Sequence, residues 1–95
     1  MLKESIRKYI ELEVQAIQNI PIDGVIENVL EIIFQRVHQM NGKVIVSGMG
    51  KAGQIGMNIS TTLSSTGTPS VFIHPSEAQH GDLGMVQKND VLLLI

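Results

Sequence analysis

Apolar residues recur every three or four positions through the first forty residues of the chain and then bunch into short continuous runs. Leu2, Ile6, Ile10, Val14 and Ile17 are interleaved with Lys3, Glu4, Lys8, Glu11 and Glu13, the spacing of an amphipathic helix. Asn19-Ile20-Pro21 breaks the period. Asp23 stands where an N-cap would open a second helix, whose apolar positions are Val25, Ile26, Val29, Leu30, Ile33, Val37 and Met40. Asn41-Gly42 closes it.

Beyond Gly42 the period changes. Lys43-Val44-Ile45-Val46 is short, β-branched and bounded by glycine, which predicts a buried strand. Ile55, Ile59 and Leu63, supported by Ala52 and Met57, predict a helix from about Ala52 to Ser65, stopped by Thr66-Gly67-Thr68-Pro69. Ser70-Val71-Phe72-Ile73 reads as a second strand and Val91-Leu92-Leu93-Leu94-Ile95 as a third, with most of the remaining polar chemistry in the loop from His74 to Gln87. Strands that are apolar throughout rather than alternating belong to parallel sheets covered on both faces, so the order predicts a doubly wound α/β fold. Five apolar residues in the last strand leave an edge and a face uncovered, and the expectation is that these 95 residues are the first part of a larger domain.

Composition narrows the function classes. The chain is 43% hydrophobic and 17% charged, enough apolar material for a core. A net charge of -2 and an aromatic content of 3% supply neither a basic field nor stacking platforms, which excludes a nucleic-acid partner. There is no cysteine, hence no disulfide framework and no thiolate chemistry. No apolar run reaches membrane-spanning length and the charged N-terminus has no signal-peptide core, so a cytoplasmic protein without a membrane partner is expected.

The first strand runs into Val46-Ser47-Gly48-Met49-Gly50-Lys51-Ala52-Gly53-Gln54-Ile55-Gly56, which places four glycines and one cation at a strand-to-helix turn. In open parallel sheets ligands bind beyond the carboxyl ends of the strands, and bare backbone at a helix N-terminus suits an anion. Gly48 to Gly53 satisfies GxGxxG, but the second strand ends in His74 and Pro75 rather than in the acidic residue of a nicotinamide-cofactor site. A Walker loop fails as well, because Ala52 rather than Ser or Thr follows Lys51.

Four motifs in order, Gly48-Met49-Gly50-Lys51-Ala52-Gly53, Ser65-Thr66-Gly67-Thr68-Pro69, His74-Pro75-Ser76-Glu77-Ala78 and His80-Gly81-Asp82-Leu83-Gly84, closely resemble the arabinose-5-phosphate isomerases of the sugar isomerase (SIS) domain family. The resemblance covers about Lys43 to Ile95, with residues 1–41 as a helical arm and residues 42–95 as the N-terminal part of a flavodoxin-like SIS domain. It implies interconversion of D-ribulose 5-phosphate and D-arabinose 5-phosphate toward the 3-deoxy-octulosonate of lipopolysaccharide or capsule. It implies Lys51 as the catalytic position and Gly67, Thr68, His74 and His80 as substrate contacts, beside Gly48 and Gly50 of the glycine turn. No cofactor is required; a metal ion, zinc, at His74 and a homotetramer are further implications. Ala52 and Gln54 depart from the serine and histidine frequent in the family. The family's phosphate loop and other catalytic positions follow the third strand, so the 95-residue chain by itself is expected to be neither active nor a stable monomer.

The chemistry fits the name. Aldose–ketose isomerisation through an enediol needs a base near carbon and a cation or donor at the developing oxyanion; Lys51 supplies the second and His80 is a candidate proton shuttle. A phosphosugar-binding regulatory module without turnover is the alternative. Glu77 and Asp82 read as caps or turn formers, His38 as a solvated surface residue, and Met49 and Met57 as packing residues.

Overall fold

A computed structural model describes all 95 residues, Met1–Ile95. Helix α1 spans Leu2–Gln18 and buries none of its residues. Its apolar stripe, with Leu2, Ile6, Tyr9, Ile10 and Ile17, faces outward, more than half exposed at each of these positions. The molecule measures 55 × 31 × 22 Å with a radius of gyration of 17.0 Å; a compact chain of this length would have about 12 Å. The excess is the arm.

Helix α2 covers Gly24–Ile33. Asp23 opens it as the sequence predicts, its Oδ1 accepting the Val25 amide at 3.1 Å and the Ile26 amide at 3.4 Å. The expected single helix to Met40 changes pitch on the way: Phe34–Gln39 winds as a π-helical segment. That segment carries Val37 into the core, where it packs with Val44 and Val46. Asn41 then takes φ 60° and the Gly42 amide donates to the Arg36 carbonyl at 2.8 Å, a left-handed stop that returns the chain toward the sheet.

Three parallel strands form one sheet: β1 (Val44–Ser47), β2 (Ser70–Phe72) and β3 (Val91–Leu94), in the order β2-β1-β3. Register places Val46 beside Phe72 on one side and Leu93 on the other. Central β1 is buried on both faces, which is why Val44-Ile45-Val46 has no polar alternation. Val44 and Val46 meet α3 (Gly50–Ser65) through Ile59 and Leu63, the end of α2 through Ile33 and the π-helical segment through Val37. Ile45 and Ile73 point the other way, toward the short helix α4 (Pro75–Ala78) and a 3-10 turn at Asp82–Met85. Helical segments therefore lie on both faces. The sequence-based fold holds, with the 74–87 loop more structured than periodicity alone indicates.

Two polar ties fix the strands. Asp90, ahead of β3, takes the Lys43 ammonium at 2.7 Å, the Lys43 amide at 3.0 Å and the Gln87 amide at 2.7 Å. On the other side of β1, the Ser60 and Ser70 hydroxyls meet at 2.8 Å and Ser64 Oγ donates to the Ser70 carbonyl at 2.8 Å, clasping α3 to β2. Met49 and Met57 are 66% and 52% exposed, so neither is a buried packing residue, against the expectation from their apolar character. His38 is also not merely solvated: its Nε2 lies 3.1 Å from Thr68 Oγ1 and its ring sits against Phe34.

Candidate functional site

From β1 the chain reaches β2 on one side; from β2 it crosses to β3 on the other side of β1. Such a reversal opens a crevice beyond the carboxyl ends of the strands. The Gly48 turn lies there, close enough to the end of β3 that a Cβ on Gly48 would sit 2.9 Å from the Ile95 carbonyl oxygen. The other glycines of the motif have separate physical roles. Gly50 takes φ +61° in open space, so it serves the turn's backbone conformation. Gly53 and Gly56 serve close packing: side chains there would strike the Gly48 carbonyl at 2.6 Å and Val46 Cγ1 at 3.0 Å.

Helix α3 begins at Gly50, two residues earlier than periodicity predicts, which puts Lys51 in its first turn. Met49 at the N-cap provides no side-chain acceptor, and the first turn has no acidic residue. The amides of Gly50, Lys51 and Ala52 thus precede the first intrahelical bond, Gly53 N–H to the Met49 carbonyl. A cation at the positive end of a helix is electrostatically unfavourable by itself. Lys51 is exposed there and forms no ion pair; the chain's single salt bridge joins Lys43 and Asp90. Free amides and an unpaired lysine thus belong to the same first turn of α3, a composition that an anionic ligand or a developing oxyanion would neutralise.

His74 leaves the end of β2 at the same edge of the sheet. Its take-off is fixed by the Ile73 amide donating to the Val46 carbonyl at 2.9 Å and by Ser47 Oγ donating to the Ile73 carbonyl at 2.6 Å. His74 caps α4 with its ring: Nδ1 accepts from the Ser76 amide at 3.2 Å and lies 2.7 Å from Ser76 Oγ. His80 follows one turn later, with Nδ1 2.8 Å from the Ser76 carbonyl oxygen. Sequence reasoning passed over Ser47 and Ser76; the signal available was a hydroxyl residue two places after a His-Pro strand exit. Beneath this segment lies an apolar groove of about 640 Å³ lined by Ile45, Ile73, Pro75, Leu83 and Leu92.

Gly67 and Thr68 lie elsewhere. They precede β2, whose first residue Ser70 pairs with Val44 at the start of β1, so they occupy the amino end of the sheet. Within one chain they do not share the crevice with Lys51, His74 and His80. Thr68 instead meets His38 of the π-helical segment.

Zinc at His74 does not fit these residues. An amide can only donate, so the Ser76 N–H requires an unprotonated Nδ1, and in neutral His74 the proton then occupies Nε2, the remaining ligating atom. Nor does any group of three or more His, Asp or Glu side chains in the chain come together to hold a metal ion. The Asp90 carboxyl lies below its ordinary value. Burial would raise it, but the hydrogen bond from the Lys43 ammonium, those from the Gln87 and Lys43 amides and the Lys43 charge together hold it lower. It braces the sheet remote from Lys51. No helix is long and apolar enough to cross a membrane.

The SIS domain model matches residues 38–95. Among curated proteins, arabinose 5-phosphate isomerase KpsF of Escherichia coli O6:H1 is 49% identical over 94 residues, covering 96% of this chain and 28% of that protein. Among solved structures, a candidate phosphosugar isomerase involved in capsule formation from Bacteroides fragilis superposes with a TM-score of 0.90 at 56% identity, over 99% of this chain and 49% of that one. An E. coli CFT073 protein solved in complex with arabinose 5-phosphate gives a TM-score of 0.72 at 39% identity, over 98% of this chain and 48% of that one. The chain thus spans about half the length of these solved relatives and less than a third of the curated one.

Proposed function

Because the chain belongs to the SIS domain family, we propose that it forms part of an aldose–ketose isomerase interconverting D-ribulose 5-phosphate and D-arabinose 5-phosphate. The observation that carries this reading is the unpaired Lys51 ammonium on the uncapped first turn of α3, at the crevice where the sheet reverses direction. The relative named for arabinose 5-phosphate, and the solved one that holds this sugar, support the choice of substrate.

In this reaction a proton moves between adjacent carbons while charge builds on the neighbouring oxygen. A cation held by a rigid glycine turn, beside helix amides already free of partners, stabilises that charge without reorganising. Lys51 therefore acts at the oxyanion, Gly48 and Gly50 shape the turn, and His74 and His80 contact the sugar from the β2 exit. Gly67 and Thr68, at the other end of the sheet, reach substrate only through a neighbouring subunit. The reaction is redox-neutral and proceeds without a cofactor. The product feeds 3-deoxy-octulosonate synthesis for capsule or lipopolysaccharide.

Residues 1–41 serve as a helical arm and residues 42–95 as the first part of the isomerase domain. The bare apolar stripe of α1 supports a homo-oligomer, a tetramer in this reading, in the cytoplasm. Incubating the full-length protein with ribulose 5-phosphate and following arabinose 5-phosphate tests the proposal; a protein that binds the sugar without converting it would be a regulatory module instead.

A further inference from the structure

Asn41-Gly42 ends the helical run before β1, and it is the one place in the chain where asparagine precedes glycine. The pair is chemically labile, because glycine has no side chain to obstruct attack of its own main-chain nitrogen on the preceding carboxamide. The fold gives the two residues unlike surroundings. Asn41 is exposed and takes φ 60°, whereas Gly42 is buried. The nitrogen that would attack is engaged, its N–H donated to the Arg36 carbonyl at 2.8 Å. Gly42 is also held between backbones: a Cβ there would strike the Asn89 carbonyl and lie 2.9 Å from the Arg36 carbonyl oxygen. From the β3 side, Asn89 Nδ2 donates to the Met40 carbonyl at 3.1 Å and Asp90 Oδ1 accepts the Lys43 amide at 3.0 Å. Every residue around Asn41 is therefore tied down while its own carboxamide stays in solvent.

We propose that Asn41 is a site of spontaneous deamidation, shut while the joint between the helices and β1 is closed and released when that joint opens. On opening, the Gly42 nitrogen loses its proton to water and bonds to Asn41 Cγ. The Cγ–Nδ2 bond breaks, and Nδ2 takes up a proton and leaves as ammonia. Water then opens the succinimide at one carbonyl or the other, giving aspartate or isoaspartate. Nothing is oxidised or reduced, and water is the co-reactant. Isoaspartate routes the main chain through the former side chain, adding a backbone carbon between residues 41 and 42. The seat of Gly42, too tight for a Cβ, has no room for that displacement, so the modified joint does not close as before. The product is an irreversible mark of time spent open, independent of the sugar chemistry.

The test holds full-length protein at mildly alkaline pH, folded or in urea, and follows the amide-to-acid mass change at Asn41 and the isoaspartate content by peptide mass spectrometry. Deamidation is slow beside opening and closing, so its rate in the folded protein follows the population of the open joint. The folded parent should react at Asn41 at least about tenfold more slowly than the unfolded chain. Asn89→Ala removes the bond to the Met40 carbonyl. It should raise the folded rate by about fivefold, the net worth of one hydrogen bond, and leave the rate in urea unchanged. The isoaspartate fraction, separated by ion exchange, should unfold at a lower temperature than the parent. Equal rates folded and unfolded, or no reaction at Asn41 in urea, would overturn the proposal. So would a folded Asn89→Ala protein that reacts no faster than the parent, and an isoaspartate fraction as stable as the parent would remove the irreversible mark.

Discussion

Gly53 and Gly48 meet backbone to backbone: a Cβ on Gly53 would lie 2.6 Å from the Gly48 carbonyl oxygen. The first turn of α3 is thereby pressed against the end of β1, and the position of Lys51 follows from that contact. Because the obstructing atom is backbone, Gly53→Ala should shift α3 and destabilise the protein by about 2 kcal/mol. Gly50→Ala should cost about 1 kcal/mol through its positive φ alone, with nothing to strike. Thermal unfolding by circular dichroism ranks the two; equal effects would contradict the separate roles given to these glycines.

Asp90 and Lys43 lock β3 to β1 in a pair whose carboxylate side chain is 1% exposed. The Asp90 carboxyl is depressed when folded. Its contribution is therefore fully present above its unfolded value, near 3.9, and is lost as pH falls through the lower folded value. Asp90→Ala leaves the Lys43 ammonium without its partner and should cost about 3 kcal/mol at neutral pH. Asp90→Asn should flatten the acid limb of stability below about pH 4. An acid limb of unchanged steepness in urea melts would remove Asp90 from the account.

The outward stripe of α1 should be covered in the assembled protein. Ile6→Glu combined with Ile10→Glu, both on the exposed face, should reduce the associated species seen by light scattering while leaving the sheet's circular dichroism intact. An unchanged mass would show that the arm does not hold subunits together.

Much of this architecture is legible in local sequence. Asp23 capped its helix, Asn41-Gly42 ended the same helical run, and Val44-Ile45-Val46 became the central strand because an unbroken β-branched run suits a strand buried on both faces. What periodicity missed depends on tertiary geometry. The π-helical turn at Phe34–Gln39 carries Val37 into contact with the sheet, a tertiary feature that no helical repeat encodes. Met49 and Met57 read as packing residues and lie largely exposed. In the site, the glycine motif located Lys51, since strand, turn and helix are contiguous. The Ser76 contacts were invisible, because they arise from a carbonyl and an amide meeting two rings across a short helix.

The central claim, that the Gly48–Gly53 turn presents Lys51 to a developing oxyanion on a phosphosugar, is tested most directly by turnover of ribulose 5-phosphate in the full-length protein and in Lys51→Ala. The parent should form arabinose 5-phosphate. Lys51→Ala should be slower by ~10²-fold or more, with stability unchanged or slightly raised because a cation leaves the positive end of α3. A parent that binds the sugar without converting it, or a Lys51→Ala protein with near-normal turnover, would contradict the account.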